Sequence, residues 1–132
     1  MEIPVLSAFI LSCCLIVSVN SSAQGQQDKS PCDNAQTTIE MGECAGREYQ
    51  KADAELNSVY RQLMSSLSDR ESESALKTAQ QAWLKYRDAN CEFETFDSRG
   101  GTIHPVAYSF CLAHMTSTRT KELREQMPQE GH

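Results

Sequence analysis

Behind residue 23 this 132-residue chain has little of what builds a sheet: Val59 and Val106 are its valines there, Ile39 and Ile103 its isoleucines. No stretch alternates apolar and polar residues with a period of two, so a β-sandwich or barrel is excluded and helices must build the fold. Positive charge is scarce too. The formal net charge is −6, which argues against a phosphate-backbone partner, since nucleic-acid binding requires a basic face. No Cys-x-x-Cys occurs to suggest a zinc site or a redox dithiol, and no Ser-His-Asp or Cys-His arrangement can be argued. The first Lys or Arg is Lys29, so the amino terminus lacks the cation that usually opens an export signal.

What the amino terminus does have is an apolar run from Ile3 to Val19, followed by Asn20-Ser21-Ser22-Ala23. Small residues at Ser21 and Ala23 fit the minus-three and minus-one positions of a signal-peptidase site. Residues 1–23 are therefore expected to be a cleaved signal peptide, which makes the mature protein periplasmic or secreted and leaves it without a membrane segment. A retained anchor fits less well, because a run of about 17 residues is at the short limit for a span. Lipidation at Cys13 would follow the poor lipobox Ile10-Leu11-Ser12, inside an apolar run that continues through Val17. Loss of Glu2 with the leader leaves 17 acidic and 12 basic residues, a net charge of −5. That balance suits a basic partner, and also solubility.

Six cysteines divide between the two regions. Cys13 and Cys14 lie in the leader; Cys32, Cys44, Cys91 and Cys111 lie behind it. An even set of four in a small exported domain reads as a disulfide framework. It supplements the modest core of about 109 residues, each bridge contributing on the order of 2–4 kcal/mol.

The polar stretch 24–31 reads as a flexible tether, 32–126 as a helical domain and 127–132 as a disordered tail. Thr37-Thr38-Ile39-Glu40 has the form of a capping box. The first helix carries Cys44, Ala45, Tyr49, Ala52, Leu56, Val59, Tyr60, Leu63 and Leu67 in steps of three and four. A turn is expected over Ser65–Asp69. The second helix shows Leu76, Ala79, Trp83, Tyr86, Cys91 (or Asn90) and Phe93. Gly100-Gly101 breaks it, and Pro105 opens a third helix with Tyr108, Cys111, Leu112, Met115, Arg119 and Leu123. The fold class is all-α, a small disulfide-tied bundle of three main helices.

An antiparallel hairpin of the first two helices brings all four thiols to one pole. Cys32–Cys44 with Cys91–Cys111 closes the shorter loops and is preferred; Cys44–Cys91 with Cys32–Cys111 is the rival. Asp53, Asn57, Gln80, Arg87 and Arg119 sit within or beside the apolar stripes. Buried charges must be paired, so these five read as a structural polar network between helices, with an acid–base cluster as the weaker alternative. Cys111-Leu112-Ala113-His114, with His104 near, could suggest zinc. A single such pair in an oxidising compartment does not support a metal, and neither metal nor cofactor is expected.

The residues also carry a resemblance. Glu40-Met41-Gly42-Glu43-Cys44-Ala45 precedes Tyr49-x-x-Ala52-Asp53-x-x-Leu56-Asn57-x-x-Tyr60. Then come Ala79-Gln80-x-x-Trp83-x-x-Tyr86-Arg87-Asp88-Ala89-x-Cys91, Gly100-Gly101-Thr102, and Cys111-Leu112 with Arg119 and Leu123. In order and spacing this resembles the LprI-type lysozyme inhibitor family, small exported bacterial proteins, from Cys32 to about Leu123. Gly42 departs from the expected asparagine. The resemblance implies a helical periplasmic or surface-associated protein and, for some relatives, inhibition of lysozyme. It supplies no residue-by-residue inhibitory motif.

The segment Asp97 to Pro105 is the candidate contact, with Arg99, Gly100, Gly101, Thr102 and His104 as binding residues, because glycines allow close backbone approach and loops between fixed elements commonly bind. The same segment also reads as a simple helix terminator. An acidic helix face with Glu40, Glu43 and Glu48 is the other candidate. Many lysozymes are basic and cleave with paired carboxylates in a cleft, so an acidic protein is steered towards one. Two function classes follow: a non-enzymatic binding protein that blocks a cell-wall hydrolase, and an envelope structural or stress module that binds another protein or ligand.

Overall fold

In a computed structural model that describes residues 32–128, the chain forms three helices: α1 (Thr38–Ser66), α2 (Arg70–Glu94) and α3 (His104–Glu125). A short 3-10 turn at Phe96–Ser98 leads from α2 towards α3. No strand occurs among the described residues. The signal peptide expected over 1–23 and the tether over 24–31 lie outside them. Of the expected tail, only 127–128 are described.

Each boundary has a local cause. At the start of α1 the Thr37 hydroxyl accepts from the Glu40 amide at 3.2 Å, and the Glu40 carboxylate accepts from the Thr37 amide at 3.1 Å and the Gln36 amide at 2.8 Å. This is the capping box read from the sequence. α1 stops at Leu67, which is extended with ψ 141°. Asp69 then caps α2, its carboxylate accepting from the Ser72 amide at 2.8 Å. So short a turn makes α1 and α2 antiparallel neighbours, and Asp53 beside Arg87 is consistent with that direction. Gly100, at φ 78°, adopts the left-handed backbone that ends the 3-10 turn without a Cβ penalty. His104 and Pro105 then begin α3, Pro105 where no intrahelical N–H is needed.

α3 runs parallel to α1 and lies chiefly against it. Val106 is beside Gly42 at their starts, and Arg124 binds Glu55 further along. At the far end Leu56, Val59, Leu63 and Leu123 form a buried cluster, with Tyr60, Leu76, Trp83 and Met127 packed around it. At the other end the buried side chains are mostly smaller, Cys44, Ala45, Cys91, Val106 and Ala113, with Leu112 among them. There both disulfides close, Cys32–Cys44 and Cys91–Cys111, with Cα separations of 5.8 and 5.6 Å. The preferred pairing is the observed one.

Some apolar positions read from the sequence are not buried. Phe93 is 79 % and Tyr86 59 % exposed, and Ala79 is exposed. α2 has one neighbour face rather than two, so only a narrow stripe of it enters the bundle. The opposite error occurs in α3, where Thr116 and Thr120 are fully buried. They are satisfied locally: Thr120 donates to the Thr116 carbonyl at 2.9 Å, and the Thr116 hydroxyl accepts from Arg87 at 3.4 Å.

Candidate functional site

Arg87 is the most deeply buried charge, its side chain 7 % exposed. Its guanidinium lies 5.4 Å from the ring centres of both Tyr49 on α1 and Trp83 on α2. It donates to the Asp88 carboxylate at 2.9 Å and reaches Asp53 only at 4.0 Å. Asp53 is 41 % exposed and accepts from the Asn57 amide at 2.9 Å. Arg119 lies over Trp83 at 5.9 Å, donates to Gln80 at 3.2 Å and pairs with Glu122 at 2.9 Å. The five polar residues thus fall into two groups linked by the indole, Asp53–Asn57–Arg87 and Gln80–Arg119. Trp83 and Tyr49, which read from the sequence as ordinary stripe residues, are the aromatic partners of this arrangement. The sequence signal is Trp83 four positions before Arg87 on one helix, whereas the Tyr49 and Arg119 contacts come from tertiary packing.

Such a network has the features of an interhelical tie. Guanidiniums with fixed carboxylate and aromatic partners offer no group poised to transfer a proton, and the indole faces are already occupied. Tyr108, near Asp88 and Glu92, has its phenol pKa raised, first by burial and then by those carboxylates. It remains protonated at neutral pH.

The α2–α3 connection differs in character. Arg99, Gly100, Gly101, Thr102 and Ile103 are all exposed, yet the backbone is held. Ser98, Arg99, Gly101 and His104 each donate an amide to a carbonyl three residues earlier, at 3.1 to 3.2 Å. The Ser98 hydroxyl donates to the Thr95 carbonyl at 2.7 Å, and His104 Nδ1 lies 3.2 Å from the same oxygen. His104 also faces Tyr108, ring centres 6.1 Å apart. The imidazole is therefore turned into the loop's own support. Arg99 rests on the Phe96 ring at 4.7 Å and pairs with Glu92 at 2.7 Å. Phe96 and Ile103 in this connection are 58 % and 45 % exposed. They were not singled out from the sequence, where an isolated apolar loop residue gives no period to read.

Beside this loop the start of α1 presents Ile39, 75 % exposed. A shallow groove of about 450 Å³ runs between them, lined by Ile39, Gly42, Glu43, Thr102, Pro105 and Val106. Glu40, in the same first turn of α1, has its carboxyl held below the ordinary value by the backbone amides of Gln36 and Thr37. A Cβ on Gly101 would meet the Ser98 carbonyl oxygen at 3.2 Å, so the backbone turn itself favours glycine there. Cys111 Sγ is bonded to Cys91, which removes it as a metal ligand beside His114. No group of three or more potential metal ligands occurs among the described residues.

The described residues thus form a disulfide-tied three-helix bundle with an exposed loop on a hydrogen-bonded backbone and an exposed apolar groove beside it. Comparison with known proteins gives its family. The family model described as "Lysozyme inhibitor LprI" matches residues 31–123, and the chain belongs to that family. An uncharacterized protein of Rhizobium meliloti (strain 1021) is 38 % identical over 94 % of this chain and 93 % of its own length. The crystal structure of a DUF1311 family protein from Pseudomonas putida KT2440 superposes with a TM-score of 0.64 at 27 % identity, covering 67 % of this chain and 92 % of that one. The family description supports a protein-binding, inhibitory role at the level of the family. No helix of the described residues is long and apolar enough to cross a membrane.

Proposed function

We propose that this protein is an exported, non-enzymatic inhibitor that binds lysozyme or a related cell-wall hydrolase and blocks its cleft through the α2–α3 loop. The observation that carries the reading is the loop itself: exposed side chains from Arg99 to Ile103 on a backbone already fixed by its own hydrogen bonds. A preorganised loop loses little conformational freedom on binding, which favours a tight complex. Two disulfides suit an oxidising, extracytoplasmic compartment, and a mature chain of net negative charge suits a basic target.

A turbidity assay with purified mature protein and a panel of lysozymes tests the reading. Protection of bacterial cells from at least one lysozyme is expected, with association slowed by salt. Failure to protect against every lysozyme type would remove the inhibitor function and leave a non-enzymatic envelope module as the reading. Thr102→Trp is the preferred loop variant, since Thr102 is exposed whereas Gly101 is confined by Ser98. It should abolish inhibition and leave helicity unchanged.

A further inference from the structure

The bundle is unequal along its length. The half containing both disulfides, residues 32–53 and 85–113, carries nine acidic and five basic side chains. The other described half, residues 54–84 and 114–128, carries six of each. The described chain's excess negative charge therefore belongs to one half. All the large exposed apolar side chains belong to it as well: Ile39, Tyr86, Phe93, Phe96 and Ile103. Acidic residues normally accompany a solvated surface, and large apolar ones normally avoid it. Their concentration in the same half marks an interaction surface.

We infer that the first turn of α1 and the α2–α3 loop form one composite docking surface for a basic protein, with Ile39 and Ile103 as its apolar anchors. This rests on the lysozyme reading above and adds a second segment of the chain to the contact. The groove between the two segments is open, lined by Gly42, Pro105 and Val106, and can receive an apolar side chain of the partner. Glu43, 66 % exposed and only 4.0 Å from Arg47, stands at the groove with its charge weakly compensated, available to a flanking lysine or arginine. Glu40, exposed in the same first turn, adds a second carboxylate, which also accepts from the Gln36 and Thr37 amides. Charge complementarity selects the occupant: a cationic surface gains from this half and not from the neutral one. The Cys32–Cys44 bridge holds the chain preceding α1 against that helix, and α3 packing beside Gly42 holds the two segments in register.

Ile39→Asp and Ile103→Asp test it, because neither side chain is buried and each change should leave the melting temperature within a degree or so of the unmodified protein. Inhibition constants and binding isotherms would be measured against the lysozyme that the unmodified protein inhibits best. Each variant should weaken binding about tenfold or more, as expected for an apolar anchor. Glu43→Lys should slow association chiefly, and reduce its dependence on salt. Gln81→Asp and Thr78→Asp, on the exposed face of the neutral half, should change affinity less than about twofold. Full inhibition by both isoleucine variants would overturn the composite surface while leaving the inhibitor function standing. Absence of inhibition by the unmodified protein would remove both. A concentration-dependent dimer that Ile39→Asp dissociates, with inhibition unchanged, would reassign the surface to a second copy of this chain and overturn the proposal.

Discussion

The two ends of this bundle are held together by different physics. At the far end Leu56, Val59, Leu63 and Leu123 exclude water by bulk. At the other end small residues let α1 and α3 approach closely, and two covalent bridges add the constraint that small side chains cannot supply. The cross-linked end can therefore expose Ile39, Phe96 and Ile103 without depending on them for stability. That end is secured by bonds rather than by burial of those residues, which is what the proposed docking surface requires.

Substitutions at the two ends sharpen or break that division. Leu123→Ala, at the fully buried centre of the far cluster, should cost about 2–5 kcal/mol through lost burial and an unfilled cavity. Denaturant unfolding would measure it, and a loss below that of an exposed-site variant would mean the far end is not the apolar core. Removing the Cys91–Cys111 bridge by a double alanine change should cost about 3 kcal/mol, since the closed loop has a sequence separation of 20. The shorter Cys32–Cys44 loop, separation 12, should cost slightly less and loosen mainly the start of α1. If reduction left stability unchanged at the cross-linked end, the covalent half of the contrast would fail.

Between the ends, Arg87→Ala should lose about 3 kcal/mol, because Tyr49 and Trp83 would close on an empty site and Asp88 would lose its partner. Asp53→Ala should cost less than about 1 kcal/mol, since that carboxylate is half-exposed at 4.0 Å and Arg87 keeps Asp88. Equal losses in the two variants would show that Asp53 is the principal counter-ion after all. Gly46→Ala, in the α1 interior with open space around it, should raise stability by up to about 1 kcal/mol from helix propensity alone.

The smallest effect is pH-dependent. Glu40 and Asp69 both have pKa values lowered by the backbone amides they cap. Their contribution is complete above the ordinary values of 4.5 and 3.8 and is lost as pH falls through the lower folded values. Amide exchange in acid should then rise first at the start of α2, where no disulfide backs the Asp69 cap, and later at the start of α1. Repeating the measurement on the Cys32–Cys44 double alanine variant isolates the bridge: unchanged exchange at the start of α1 would argue that it adds no local constraint.

Much of this was legible in the linear chain. Capping signals, the three helices, the turn at 67–69 and the glycine break are short-range features, set by backbone donors needing partners and by side chains recurring at helical spacing. The cysteine pairing was legible only as a preference for the shorter loops over one rival, and the order of motifs carried the family. Less legible was which faces are covered. Thr116 and Thr120 are buried because α3 meets both other helices, whereas Phe93 and Tyr86 are exposed because α2 has a partner on one face only. Periodicity reports the chemistry of a helix face and not how many neighbours that face will have.

The sequence by itself determined the three helices and the capping signal of the first, which depend on residue type at short spacing, and the net negative charge, which depends on composition alone. For the cross-links it gave a preferred pairing and left a rival that only the structure removed. Only the tertiary structure decided that Arg87 would lie between Tyr49 and Trp83, and that Ile39 and Thr102, 63 positions apart by their numbering, would line one groove. The first outcome arises from the antiparallel placement of α2 beside α1 and the second from the parallel packing of α3 on α1, long-range arrangements fixed by the fit of side chains between helices rather than by any local signal.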